Sequence, residues 1–437
     1  MSGPVMYAVR QSFPREREAD ADVAVRREMR RLSANLRIEP GARVGISVGS
    51  RGICNLARIV SSVVGELREL GASPFIFPAM GSHGGGTAEG QAAVLHHYGV
   101  TDEAMGCPVL SSMDAVQIGR SSEGIPVFLD RHAYQADHVV VLNRVKAHTE
   151  FKGDVESGIM KMLLIGMGKH EGAKVYHRAF ADYGFDRLVE SLSRIVIEKA
   201  KVLFALAIVE NAYEETALIR GLLPAEIVSA ERSLLLKAKE LAARLPFDDI
   251  DVLIVDEMGK NISGSGMDTN VLGRFYNRVA REAAKPRIKR IYVRSLTQES
   301  LGNACGIGLA DFTHRAVIHS MDAHVTNTNC VTAVNPEKAR IPIICESDRE
   351  ALDYCFATIG LTPPARARLI RIRNTLHLAE VDISESLYRQ MTGRADLECL
   401  AGPAPLEFDA SGQLGPMLSA SHAAHQDRRI LLEMHKK

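Results

Sequence analysis

Tryptophan is absent and aromatic side chains make up only 5% of the 437 residues, which removes the stacking surface on which single-stranded nucleic acid is held. Net charge is lacking too. Lys and Arg number 53 and Asp and Glu number 53, so no global field draws the chain toward nucleic acid or an anionic membrane. No stretch reaches the roughly 18 uninterrupted apolar residues that a membrane-crossing helix needs. The opening "MSGPVMYAVRQSFPREREADADVAVRREMRR" turns charged too early for a secretory signal. The seven cysteines (Cys54, Cys107, Cys305, Cys330, Cys345, Cys355, Cys399) are odd in number, scattered and without a C-x-x-C pair. They read as reduced thiols, not as disulfides or a zinc ribbon. These absences point to a cytoplasmic protein of enzyme size whose partner is a small molecule, with no nucleic acid and no membrane, and leave a homo-oligomer open.

What is present is an α/β pattern. Hydrophobic residues at 46% and charged residues at 24% are the profile of a globular chain, and the length favours two or three domains. From residue 43, "RVGISV" reads as a strand, "ICNLARIVSSVVGELRELG" as a helix, "PFIFPAM" as a strand, and "GSHGGGT" as a turn opening the helix "AEGQAAVLHHYG". "ADHVVVLN" and "KVLFALAIVE" are further buried strands, and "PAEIVSAERSLLLKAKELAARL" is a long helix. The pattern restarts with "DDIDVLIVDEMGKNISGSGMD" and "RIKRIYVRSLT". Strand, glycine loop and helix in alternation predict two α/β domains with mainly parallel sheets, over 1–248 and 249–437, and an active-site cleft between them. "LAGPAPLEFDASGQLGP", rich in Gly and Pro, reads as an irregular segment.

In such sheets ligands sit beyond the carboxyl ends of the strands. "VGSRG" places Arg51 there, and an arginine fork suits a carboxylate. "GSHGGGTAEGQ" places His83 at the next strand exit, with Thr87 as the N-cap of the following helix. The glycines there permit close ligand approach, but neither a Walker loop nor G-x-G-x-x-G spacing is present. "GMGKHEG", off by one from a nucleotide loop, reads as a flexible connection. The densest stretch is "NRVKAHTEFKGDVESGIMKMLLIGMGKHEGAKVYH", residues 143–177, with three histidines and five lysines around an apolar run. Lys161 interrupts that run, where an unpaired ammonium would be costly. His148, Lys161 and His177 are spaced by 13 and 16 residues, which matches no local zinc motif.

Four of these elements, in this order, resemble the nickel-pincer lactate racemase family. They are the serine- and arginine-bearing loop "VGSR", the G-[ST]-H turn "GSH", the S-G-x-x-K of Ser157 to Lys161, and a histidine 16 residues after that lysine. The likeness covers roughly residues 40–180 and, more loosely, 250–275. It implies a 2-hydroxyacid racemase or epimerase with a nickel-pincer nucleotide (a pyridinium-3,5-dithiocarboxylate mononucleotide holding nickel) covalently attached to Lys161. His177 would be a nickel ligand, and imidazole suits Ni(II). His83 and His148 would be the acid/base pair and Arg51 the substrate-carboxylate ligand. The implied mechanism is hydride transfer at C2, with a histidine on each side handling the hydroxyl proton.

The chain also departs from the lactate racemase pattern. Gly84 and Gly85 stand where that type has Arg and Pro, and Val48 stands where it has an acidic residue. The His148–Lys161 segment is longer and carries Glu150, Lys152, Asp154 and Glu156. These differences imply a larger or more polar substrate, such as a sugar acid or a dicarboxylic 2-hydroxy acid. Lys260, Asn261, Asp268 and Asn270 are candidates for substrate or phosphate contacts in the second domain. Two other readings are a divalent-metal lyase or hydrolase built on His83, His148 and His177, and a non-catalytic protein that binds an anionic metabolite.

Overall fold

The computed structural model describes residues 3–50, 52–275 and 285–420, and the chain divides into two compact units. The first, Pro14–Ala242, is built on a five-stranded sheet in the order Ser73–Pro78, Arg43–Val48, His138–Arg144, Val202–Glu210, Thr216–Leu222. The first four strands are parallel and the last is antiparallel. Its strands are apolar on both faces because helices cover both. Alternate residues feed separate cores. Val140 and Leu142 pack with the helices Ala21–Ser33 and Leu56–Glu69, while Val139 and Val141 pack with Lys169–Tyr183, Phe185–Lys199 and Ile227–Leu241.

The second unit joins Met1–Phe13 to the chain from Ala243 onward. Its eight-stranded sheet has a parallel half made by Asp249–Val255, Arg287–Val293, Phe312–His314, Ile343–Cys345 and Leu369–Ile372. The other half is antiparallel and contains Glu380–Ser384, Val5–Gln11 and Leu397–Pro405. Three expectations change here. The division falls at 242/243 instead of 248/249, and residues 1–13 join the second unit because Val5–Gln11 is hydrogen-bonded on both sides within its sheet. The Gly- and Pro-rich "LAGPAP" is not irregular. It lies in an edge strand, where a proline costs no ladder bond on its free side. The mainly parallel α/β class stands. Among the described residues no helix is long and apolar enough to cross a membrane, and all seven cysteines are free thiols.

Candidate functional site

Arg43–Val48 pairs in parallel with Ser73–Pro78 on one side and His138–Arg144 on the other. The loops that follow all three therefore leave the sheet at one edge. They carry Ser50, His83 and His148, while Arg51 lies outside the described residues.

The His83 turn is held from below. Gly81 takes φ +59°, and a Cβ there would lie 2.9 Å from the Ile165 carbonyl oxygen, so only glycine lets the turn dock on the segment after Lys161. The Gly81 amide donates to the Gly166 carbonyl at 3.2 Å. The buried Gln91 amide donates to the carbonyls of Gly81 (2.9 Å) and His83 (3.2 Å) and accepts from Lys169 Nζ at 2.8 Å. Lys169 Nζ also donates to the Pro78 carbonyl at 2.8 Å and lies 3.3 Å from Asp130, with both side chains wholly buried. Burial pushes the Asp130 pKa up and the Lys169 pKa down, each opposed by the partner's charge. Above the turn, Ser50 Oγ meets His83 Nδ1, and the Ser50 carbonyl accepts from Tyr98 OH at 3.2 Å. Thr87 caps the next helix by accepting from the Gly90 amide at 3.0 Å, as its position predicts.

His148 is fixed more tightly still. Its Nδ1 accepts from the backbone amides of Glu150 and Phe151, each at 3.0 Å. Its own amide donates to Glu156 at 2.7 Å, and its ring stacks on Phe151 at 4.5 Å. Nε2 lies 2.6 Å from Lys161 Nζ. The Phe151 ring lies 6.1 Å from that of His177, so His148 and His177 share one aromatic neighbour. Phe151 in turn stacks on Phe185 at 4.5 Å. The charges in the longer loop thus do not all face outward. Glu156 is 1% exposed and pairs with Lys239 (2.7 Å) and Lys152 (3.4 Å).

Lys161 ends a single turn, Ile159–Lys161, whose flanks Met160 and Met162 are buried. A π-helical turn follows at Met162–Gly166, where the Met167 amide reaches back to the Met162 carbonyl at 2.9 Å. Such wide turns recur at functional sites. "GMGKHEG" is accordingly not a flexible connection: it closes this turn and begins the helix Lys169–Tyr183 that carries His177. The turn bearing Lys161 is capped by Glu231, a wholly buried carboxyl that accepts from the Met160 amide at 2.9 Å. Burial pushes Glu231 up to about 7 against the backbone donors that lower it.

Lys161 and His148 therefore meet directly, His177 is linked to them only through the Phe151 ring, and the His83 turn is docked on the segment following Lys161. Gln91, Lys169, Asp130 and Glu231 escaped the sequence reading. Only Glu231 left a signal, a Glu on the apolar face of the helix Ile227–Leu241, and a weak one because most such residues reach solvent. In the other unit Lys260 Nζ donates to Asn329 Oδ1 at 2.8 Å, and Asn261 Oδ1 accepts from Thr297 at 2.7 Å. Asp268 accepts from the amide and side chain of Asn270, each at 2.8 Å, so that pair is bonded locally. Among the described residues no three His, Cys, Asp or Glu side chains are grouped so as to hold a metal ion.

Residues 24–184 match the family model of the lactate racemase N-terminal domain, so the resemblance carried by the motifs is shown over that segment. The fold is similar to that of the lactate racemase apoprotein from Thermoanaerobacterium thermosaccharolyticum. That match has 13% identity and a TM-score of 0.53, and covers 84% of this chain and 94% of that one. A protein from Thermotoga maritima is also similar, with 13% identity, 74% and 84% coverage and a TM-score of 0.48. No curated protein matches.

Proposed function

We propose that this chain is a racemase or epimerase of a 2-hydroxy acid, acting in the cytoplasm with a nickel-pincer nucleotide joined to Lys161. The observation that carries the reading is the 2.6 Å contact of Lys161 with His148 beside the ring shared with His177. The residues fit the group. An acylated lysine is neutral, so its place among buried methionines costs little. A single imidazole, His177, suits an ion whose other donors belong to an organic ligand. When bound, the group would supply an acceptor for the C2 hydride.

The chain's own residues would do the rest. His83, oriented through Nδ1 by Ser50, would take the hydroxyl proton on one face of the substrate, and His148 would supply a proton through Nε2 on the other. Arg51, next to Ser50 in sequence, would take the carboxylate. Substrate would be a sugar acid or dicarboxylic hydroxy acid, larger than lactate, since Gly84 and Gly85 add no side-chain bulk beside His83.

The test is the intact mass of protein purified from its native source, with peptide mapping around Lys161 and a nickel assay. A covalent adduct on Lys161 with one nickel per chain is expected. An unmodified Lys161 in that preparation would overturn the proposal.

A further inference from the structure

We infer that the His148 loop primes Lys161 for acylation, by holding His148 in the tautomer that carries its hydrogen on Nε2 and so leaving the Lys161 amine unprotonated. The inference rests on the reading of Lys161 as an attachment point for its purpose, but not for its test. A nitrogen that accepts hydrogen bonds carries a lone pair and no hydrogen. Nδ1 of His148 accepts from two backbone amides at 3.0 Å, so the hydrogen of the neutral ring sits on Nε2. Across 2.6 Å that N–H can only donate, and the atom facing it is Lys161 Nζ. An amine has a lone pair to accept it; an ammonium has none. A doubly protonated His148 would instead set an Nδ1–H against two backbone N–H groups.

The loop geometry allows the ring little freedom. Phe151 stacks on it with 9° between planes, the His148 amide is tied to Glu156, and its carbonyl accepts from Lys152 at 2.9 Å. Glu156 is paired with Lys152 and Lys239, and Arg144 with Glu210 on the strands beneath. From the helices, Asp186 sits against Gly153 and Glu231 caps the Lys161 turn, and burial pushes both carboxyls toward their neutral forms. His177 faces the site across Phe151.

The step this prepares is redox-neutral. The Lys161 lone pair forms a bond to the carbon of an activated acyl or thioacyl group. The bond from that carbon to its leaving group breaks and its pair departs with the leaving group. The surplus proton on nitrogen leaves with that group or passes to water. Once acylated, the nitrogen no longer offers an amine lone pair, and the Nε2–H of His148 is released toward an oxygen of the substrate.

The test uses full-length protein made in a host that cannot supply the cofactor, acetylated with N-hydroxysuccinimidyl acetate and mapped by peptide mass spectrometry. The rate at each lysine is followed from pH 7 to pH 9. A surface lysine, with a pKa near 10.4, gains about 100-fold over those two units. Lys161 is expected to change by less than about 2-fold, since its amine is already unprotonated. His148→Phe should make Lys161 follow the surface lysines. Should that variant fail to fold, nitrogen-15 NMR of the unsubstituted protein decides: at pH 7 His148 should show a bare Nδ1 and a protonated Nε2. A Lys161 profile that climbs like the surface lysines, or a His148 protonated at Nδ1, would overturn the inference. A flat profile in a protein whose native-source form carries no adduct would leave the priming standing and remove the cofactor reading.

Discussion

Glu231 accepts the Met160 amide at 2.9 Å from a wholly buried position, one residue before Lys161. The carboxyl reaches from the helix Ile227–Leu241 to cap a turn that has no cap of its own. It can do so because residue 158 is glycine: a Cβ there would lie 2.3 Å from Glu231 Oε1. The lysine on which the proposed chemistry rests is thus placed by a residue 70 positions away in the chain.

This cap makes stability depend on pH. Burial raises the folded-state pKa of Glu231 to about 7, against an ordinary value of 4.5. For a raised acid the unfolded chain releases its proton first. Stability contributed at this site is therefore full below pH 4.5, falls as pH rises toward 7, and is then constant, a loss of roughly 3 kcal/mol. Urea unfolding followed by circular dichroism at pH 5 and pH 8 should show this decrement in the unsubstituted protein and its reduction in Glu231→Gln. An identical decrement in both would contradict the assignment.

Gly158→Ala should disturb the same contact from the other side. The added methyl meets Glu231 and Val145, and overpacking of this kind costs about 1–3 kcal/mol. The midpoint of chemical denaturation should fall accordingly, and any adduct on Lys161 in native-source protein should diminish. An unchanged midpoint would show that the site can relax.

Lys169→Met should be severe. It strips the partner from a wholly buried Asp130 and the acceptor contact from Gln91, which holds the His83 turn. Breaking a buried pair on one side costs about 3–5 kcal/mol. Adding Asp130→Asn to that variant should recover part of the loss, because asparagine can still cap the helix at His132 and Ala133 without a charge. Thermal unfolding of both variants measures this; a double variant no more stable than the single one would argue against a charge-based cost.

Phe151→Ala should both destabilise and loosen. The ring is 9% exposed and stacks on His148 and Phe185 at 4.5 Å each. Its removal should cost about 3 kcal/mol, with Phe151→Leu costing less. Hydrogen exchange at the Glu150 amide should quicken in Phe151→Ala as the His148 ring loses its stacking partner. Unchanged protection there would show that the two backbone amides alone hold the ring.

Much of the fold could be read along the chain. Strands such as Val202–Glu210 are apolar on both faces, and the helices Leu56–Glu69 and Ile227–Leu241 lie where the sequence places them. His83 and His148 follow strands, so their exit from the sheet is a local property. Less visible was the pairing of Val5–Gln11 with strands nearly 400 residues on, which depends on an edge that only the folded sheet provides. The same holds for Leu397–Pro405, where glycine and proline suggested a loop and an edge position accommodates them.

By itself, then, the sequence determined the α/β alternation, the loops that carry the histidines, and the oddity of Lys161 within an apolar run, because periodicity and spacing act between near neighbours. Only the tertiary structure decided which charged groups lie inside and what they hold. Gln91, Lys169, Asp130 and Glu231 come from four separate segments, and the free energy of a buried charge depends on the partners that surround it in space, which no stretch of the chain contains alone.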